Sequence, residues 1–339
     1  MDFKDKIQDI LRGMTGDNEK DLRYLREQMD VYKDDENSTE IIRALGRKMY
    51  ELLPDNAKDE VNDFIGHTTE SIEMTIEEAM FQLKHNHDTV KAENMFASII
   101  REIEGMFTDD EASEYRCFDN IIEKMIYEIL DKPQKEIRKP TFNYMMIYYM
   151  YGYCLIDNNK LDEAEDALFT AHKWSPVNSQ VMFELAEIYK VFHKYEEYIE
   201  WTKKAMKYSY KSGDIARGYR NLGYYYIDIE KYQLAADLFY FSQFFNETEI
   251  ANSELFYISQ KIGELPKQSD IKELKNTLDK EGIQFGANNE IISIIHQLGV
   301  ILEKQNKISD AINFFMLVYD LSHDQSIRNK IDELKKRMN

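Results

Sequence analysis

Cysteine, proline and glycine are all scarce in this chain, with two, five and 13 copies among 339 residues. Cys117 and Cys154 lie far apart, with neither a second Cys nor a closely spaced His beside them. That excludes a disulfide framework or a zinc site of ordinary spacing and leaves two buried free thiols as the expectation. Few prolines and glycines mean few obligatory breaks, and no stretch alternates apolar and polar residues with a period of two, so nearly the whole chain reads as helix. Long apolar runs are missing as well. Nothing approaches the ~18 apolar residues of a membrane span, and the opening MDFKDKIQDILRGM is a charged amphipathic helix without the apolar core of a secretion signal. A soluble, cytoplasmic protein is expected. Basic charge is also short: 43 Lys and Arg face 63 Asp and Glu, a net charge of −20. Such a balance argues against nucleic acid and against anionic membrane surfaces as partners.

The motifs that carry common chemistries are absent too. There is no Gly-rich phosphate loop, H-E-x-x-H, G-x-S-x-G or C-x-x-C, so neither an enzyme nor a cofactor nor a metal is expected. His85 and His87 in KHNH stand two apart, on different sides of any helix, and are read as turn residues. The acidic run Asp162, Glu163, Glu165 and Asp166 opens a helix, where carboxylates favour the positive end of the dipole.

What the chain does contain is a period. Tyr148, Tyr151, Gly152 and Leu155 are followed by Ala164, Leu168, Ala171 and Pro176. The next copy keeps Met182, Leu185, Ala186, Tyr189 and Ala205, with Tyr198 and Thr202 at the other second-helix positions. A third has Tyr219, Leu222, Gly223, Tyr226, Ala235, Phe239 and Ser242; a further one has Ile295, Leu298, Gly299, Leu302, Ala311, Phe315 and Val318. Glycine inside a helix costs roughly 1 kcal/mol relative to alanine, so its recurrence marks a place where another backbone passes close. The register and its signature resemble the tetratricopeptide repeat, over about 145–322. The resemblance implies an all-α, right-handed solenoid of antiparallel helix pairs, with repeats near 145–178, 179–212, 216–249, 250–291 (degenerate) and 292–323, and a capping helix at 324–339.

Ahead of the array the signature fades. Residues 1–70 read as a helical bundle of short amphipathic helices, joined by polar loops such as DDENS. Residues 71–131 read as divergent repeat-like helices, with Ile76, Ala79, Met80 and Leu83 in one and Ala92, Phe96 and Ile99 in the next. The stretch 132–141, with Pro133 and Pro140, reads as a linker. Residues 1–140 hold 34 acidic against 20 basic side chains, which counts against a DNA-facing domain there.

The family commonly holds a peptide or helix in the groove lined by its first helices. Carried over by register, the resemblance assigns that groove Tyr149, Tyr153, Phe183, Glu187, Lys190, Arg217, Arg220, Asn221, Tyr224, His296 and Gln297. The family's clamp for chaperone tails is not reproduced, because Tyr149 and Tyr153 replace its polar pair and Glu184 stands where an asparagine belongs. Residues 201–220 carry six basic side chains against the single acid Asp214. Arg217 and Arg220 fall on the groove helix, where guanidinium groups can bind carboxylates bidentately. The expectation is a non-enzymatic scaffold for a protein or peptide partner, acidic or ending in a free carboxylate. The alternatives are a peptide-sensing regulator resembling bacterial pheromone receptors, and a repeat domain attached to a helical enzyme.

Overall fold

The computed structural model describes residues 3–35 and 37–338. Met1, Asp2, Glu36 and Asn339, which fall in the expected bundle, its DDENS loop and the expected cap, lie outside the described residues. The chain divides into two units, Met1–His87 and Asp88–Asn339.

The first unit contains α1 (Phe3–Arg12), α2 (Asn18–Val31), α3 (Ser38–Leu52) and α4 (Asp55–Phe81). Asp17 caps α2 by accepting from the Lys20 amide, and Pro54 fixes the entry to α4. Helices α1, α2 and α3 close over Ile10, Leu25, Ile41 and Leu45, all fully or almost fully buried. Asp21 is also buried, and takes hydrogen bonds from the Thr15 and Gly16 amides and the Thr15 hydroxyl at 2.7–2.9 Å, fixing the turn between α1 and α2. Helix α4 runs on unbroken past the boundary expected at 70. It ends in a π-turn, Gln82–Asn86, and a left-handed His87; His85 and His87 are exposed there.

The second unit starts with α5 (Thr89–Ile103), which buries Ala92, Phe96 and Ile99. Next come β1 (Ser113–Tyr115), α6 (Ile121–Ile126) with a π-turn at Tyr127–Asp131, and β2 (Glu136–Arg138). The two strands pair in parallel, Ser113 opposite Glu136 and Tyr115 opposite Arg138. The stretch read as a linker at 132–141 thus carries a three-residue strand in a mainly helical chain. Its two prolines bar helix, and three paired residues are too few to leave a period-two pattern.

The array follows as α7 (Tyr144–Asp157), α8 (Leu161–Trp174), α9 (Ser179–Val191), α10 (Tyr195–Tyr208), α11 (Ser212–Asp228) and α12 (Tyr232–Phe245), each packed on the next. The small residues sit where the register put them. A Cβ on Gly152 would meet Leu168 at 2.9 Å, and one on Gly223 would meet the fully buried Phe239 ring at 2.8 Å. The turns inside the pairs share one geometry: Asn159, His193 and Glu230 are left-handed, and the amides of Lys160, Lys194 and Lys231 reach back to Leu155, Tyr189 and Tyr226 carbonyls at 2.8–2.9 Å. This is the six-to-one bond of a Schellman motif, and the lysine that makes it is also the first residue before the next helix.

Beyond α12 the regularity stops and later resumes. Helix α13 (Glu249–Ile262) packs on α12, but it makes no close pair with α14 (Ile271–Lys280). The degenerate repeat expected at 250–291 therefore has amphipathic helices without their hairpin. Gly263, left-handed at φ +82°, ends α13, and the following stretch is tied to α12 instead: Tyr240 donates to the Pro266 carbonyl, Gln233 to that of Lys267, and Asp237 accepts from the Ser269 amide and hydroxyl. Helices α15 (Asn289–Lys304) and α16 (Ile308–Ser322) form a pair again, with Gly299 close to Phe315 and the same left-handed turn at Asn306. Helix α17 (Gln325–Met338) packs on α16 and buries Ile327, Ile331 and Leu334. Cys117 and Cys154 are buried free thiols; burial pushes Cys154 up to about 12.

Candidate partner-binding face of the helix array

Residues from α7, α9, α11 and α13 meet on one face. Their centre is Arg217, whose Nη1 donates to Glu184 Oε1 at 3.1 Å while its guanidinium lies 4.9 Å from the Phe183 ring centroid. Phe183 is 0 % exposed. The groove assignment is corrected at this position: the Phe183 ring is a floor beneath Arg217, unavailable to a ligand. Tyr149 stands beside this pair, half-buried; burial, with the Glu184 charge adding to it, pushes its phenol up to about 12. Tyr153 is exposed and has Asp157 as its main electrostatic neighbour.

One turn along, Lys190 Nζ sits 4.3 Å from the Tyr224 ring centroid and 3.9 Å from Glu187 Oε2. Tyr224 in turn has Glu254 of α13 as an electrostatic neighbour, a carboxyl raised above its ordinary pKa by burial. Glu254 was not assigned from sequence, because the degenerate repeat carries no small-residue signature from which to count its register. The local excess of basic side chains therefore does not make a uniformly cationic surface. Arg217 and Lys190 each have a carboxylate partner within 4 Å.

Arg220 and Asn221 are different. Asn221 is 4 % exposed; its carbonyl accepts from the buried Tyr198 hydroxyl at 2.8 Å, which pins that turn of α11, yet its side-chain Nδ2 has no hydrogen-bond partner among the described residues. Arg220 Nη1 is equally buried and equally without a partner. Burial holds the Arg220 guanidinium below its ordinary pKa, and the neighbouring Arg217 charge acts in the same direction. Two adjacent buried donors without acceptors are unusual, since such groups cost roughly 1–3 kcal/mol each when unmet.

The remaining assigned residues lie elsewhere. His296 packs on Phe315, and with exposed Gln297 lines a cleft of about 410 Å³ between α15 and the turn from α16 to α17. Of the lysines of 201–220, Lys203, Lys204 and Lys207 are on α10 and Lys211 is the N-cap residue of α11. Lys203 donates to the Glu281 carbonyl at 2.7 Å, and Lys204 lies over Trp201 with its Nζ 2.9 Å from His172 Nε2. Burial, followed by the Lys204 charge, pulls His172 down to about 4, so the ring is neutral at pH 7. Among the described residues no group of three or more His, Cys, Asp or Glu is placed to hold a metal ion, and no helix is long and apolar enough to cross a membrane.

Fold and face together define an all-α array of adjacent packed helix pairs. No family model matches the chain, and no curated protein matches it. Among solved structures it is similar to the crystal structure of BtubC (BKLC) from P. vanneervenii, at 16% identity over 81% of this chain and 92% of that one, with a TM-score of 0.29. A likeness at that score carries no argument about function.

Proposed function

We propose that the chain is a tetratricopeptide-type scaffold, right-handed and non-enzymatic, that holds a peptide segment of a partner protein across the face of α7, α9, α11 and α13. The observation that carries this reading is half-buried Arg220 on α11, whose Nη1 is an unmet donor and whose guanidinium has no carboxylate partner among the described residues, while Asn221, buried like Phe183, belongs to the floor. A peptide carbonyl or a terminal carboxylate supplies the acceptor that Arg220 lacks, and a charged acceptor makes the stronger bond. Arg217 and Lys190 are already neutralised by Glu184 and Glu187, so a ligand acid is directed to Arg220. Tyr149, Tyr153 and Tyr224 offer the neighbouring apolar contact.

Selection from a random peptide library with free C termini tests it. Selected peptides are expected to be acidic or to depend on their terminal carboxylate, and to bind less tightly as salt screens charges over about 8 Å at physiological ionic strength. Arg220→Glu should abolish their binding with an unchanged helical circular dichroism spectrum. The same peptides bound equally well by Arg220→Glu would overturn the assignment. The regulator reading rests on the same face and differs in one measurable respect: it requires the scattering radius to change when the peptide binds.

A further inference from the structure

The interruption between α12 and α15 leaves a half-open groove of about 540 Å³, bounded by α12, α14, the 283–288 connection and the α15–α16 pair. Its apolar wall is Phe241, Phe244, Phe245, Phe285, Ile292 and Leu321. Phe241 stacks against Phe285 with centroids 4.9 Å apart and planes 25° off parallel, and against Phe244 at 6.1 Å and 18°, so three rings form one continuous side. In a regular repeat the next helix pair would cover the end of α12. Here the 285–287 turn, shaped by left-handed Gly286 (φ +75°), lies there with α14 and the end of α16, where His323 packs on Phe244 at 4.2 Å, and Phe244 remains half exposed. Exposed ring surface gains on being covered by an apolar chain, and 540 Å³ is within the usual range for a small-ligand site.

The polar lining sharpens the ligand. Among the described residues no Asp or Glu lines the groove, in a chain that carries 63 of them. The one charged side chain among them is exposed Lys275 of α14, whose Nζ lies 5.9 Å from the Phe285 centroid; Gln268, Asn289 and Ser322 are the other exposed polar groups. We infer that this groove binds an amphiphilic carboxylate, a medium-chain fatty acid whose tail lies against the phenylalanines and whose head meets Lys275. A neutral lipid would leave the cation unanswered, and a dianionic phosphate ester would meet a single cation where two or more are normally gathered.

The inference stands apart from the peptide-binding face, and its test keeps them distinct. Decanoate, below its micellar concentration, is titrated calorimetrically into the full chain, with decanol as the neutral comparison. One saturable site is expected. Ile271→Asp, at an exposed rim position of the groove, should weaken both ligands at least about tenfold, and Lys275→Glu should weaken decanoate about tenfold with decanol changed less than about twofold. Circular dichroism on both variants, whose sites are exposed, verifies the fold. Arg220→Glu should bind decanoate as the parent does. Absence of saturable binding, indifference to Ile271→Asp, equal loss of both ligands in Lys275→Glu, or loss of decanoate in Arg220→Glu would each overturn the assignment.

Discussion

Helices α7–α12 and the two segments laid across them, 104–143 and 263–288, are built on different principles. The stack is held by apolar contact: small residues at each crossing let the axes approach, and Leu168, Phe239 and their neighbours fill the space beside them. The crossing segments bury Ile122, Ile126, Leu274, Leu278 and Ile283 in the same core and are fastened in addition by side-chain hydrogen bonds, many of them made by tyrosines. Tyr208 donates to Asp131, Tyr210 accepts from Asn120, Tyr240 donates to the Pro266 carbonyl, and Tyr226 donates to Glu281. Tyr219 bridges twice, donating to the Gln284 carbonyl and accepting from the Gly286 amide, both at 2.7 Å. A repeat can therefore be interrupted without being lost, provided its outer surface carries phenols that reach whatever the chain lays over it.

The largest expected effect comes from taking one crossing segment away. A fragment of residues 88–339 keeps α5 on α7, the Tyr144 hydroxyl on the Ile103 carbonyl and Asn178 on Asp119 and Glu123; one of residues 140–339 loses all of these. The first should melt cooperatively with the helix content of its sequence, whereas the second should lose cooperativity or fail to fold. Equal melting curves by circular dichroism would show that 88–139, α5 together with most of the crossing segment, is merely attached to the stack.

Next is Gly223→Leu. The Cβ alone would come within 2.8 Å of the Phe239 ring, which is fully buried and has nowhere to retreat. Overpacking of this kind should cost about 3 kcal/mol or more, while the same change at Gly213, whose Cβ would meet only Asn246 at 3.8 Å, should cost far less. Equal chemical denaturation midpoints for the two variants would break the contrast between crossing and non-crossing glycines.

Much of the stack was legible because its small residues announce close approach, and Gly152, Gly223 and Gly299 fixed the helix pairs between them. A second signal was present and unread: Lys160, Lys194, Lys231 and Lys307 each follow a left-handed residue and close the same turn. Short strands, the tethered 263–270 connection and the burial of Phe183 were not legible, since each depends on what a distant segment does. The candidate face was half legible. Register found Arg220 and Asn221, whereas only coordinates could separate them from Arg217, which Glu184 neutralises, and from His296 and Gln297, which line another cleft.

A somewhat smaller effect should appear as pH dependence at the fastening of 104–143. Glu123 is buried, accepts from the Asp119 amide and Asn178, and is pushed up to about 7, chiefly by burial. Because the folded state holds this proton more tightly than the unfolded one, the associated stability is full below about pH 4.5 and is lost as pH rises toward 7, by about 2–3 kcal/mol. Glu123→Gln should flatten the decline in melting temperature across that window. An unchanged slope would mean that Glu123 ionises as readily in the folded chain as in the unfolded one.

The smallest effect, and the most local, is expected from Tyr219→Phe. The ring stays and continues to pack on Phe241 and Phe245, so the apolar stack keeps its contacts. What disappears is the hydroxyl between the Gln284 carbonyl and the Gly286 amide, leaving a backbone donor and acceptor unmet where the 283–288 turn crosses the array. Net loss should be about 1–2 kcal/mol. If the stack and the crossing segment are held independently, the loss should fall on one side only: amide hydrogen exchange should accelerate over 281–288 while α9–α12 remain as protected as before. Uniform acceleration across both would show that the tyrosine bridges belong to the cooperative core of the repeat, and that the distinction between packed pairs and fastened segments does not extend to their stability.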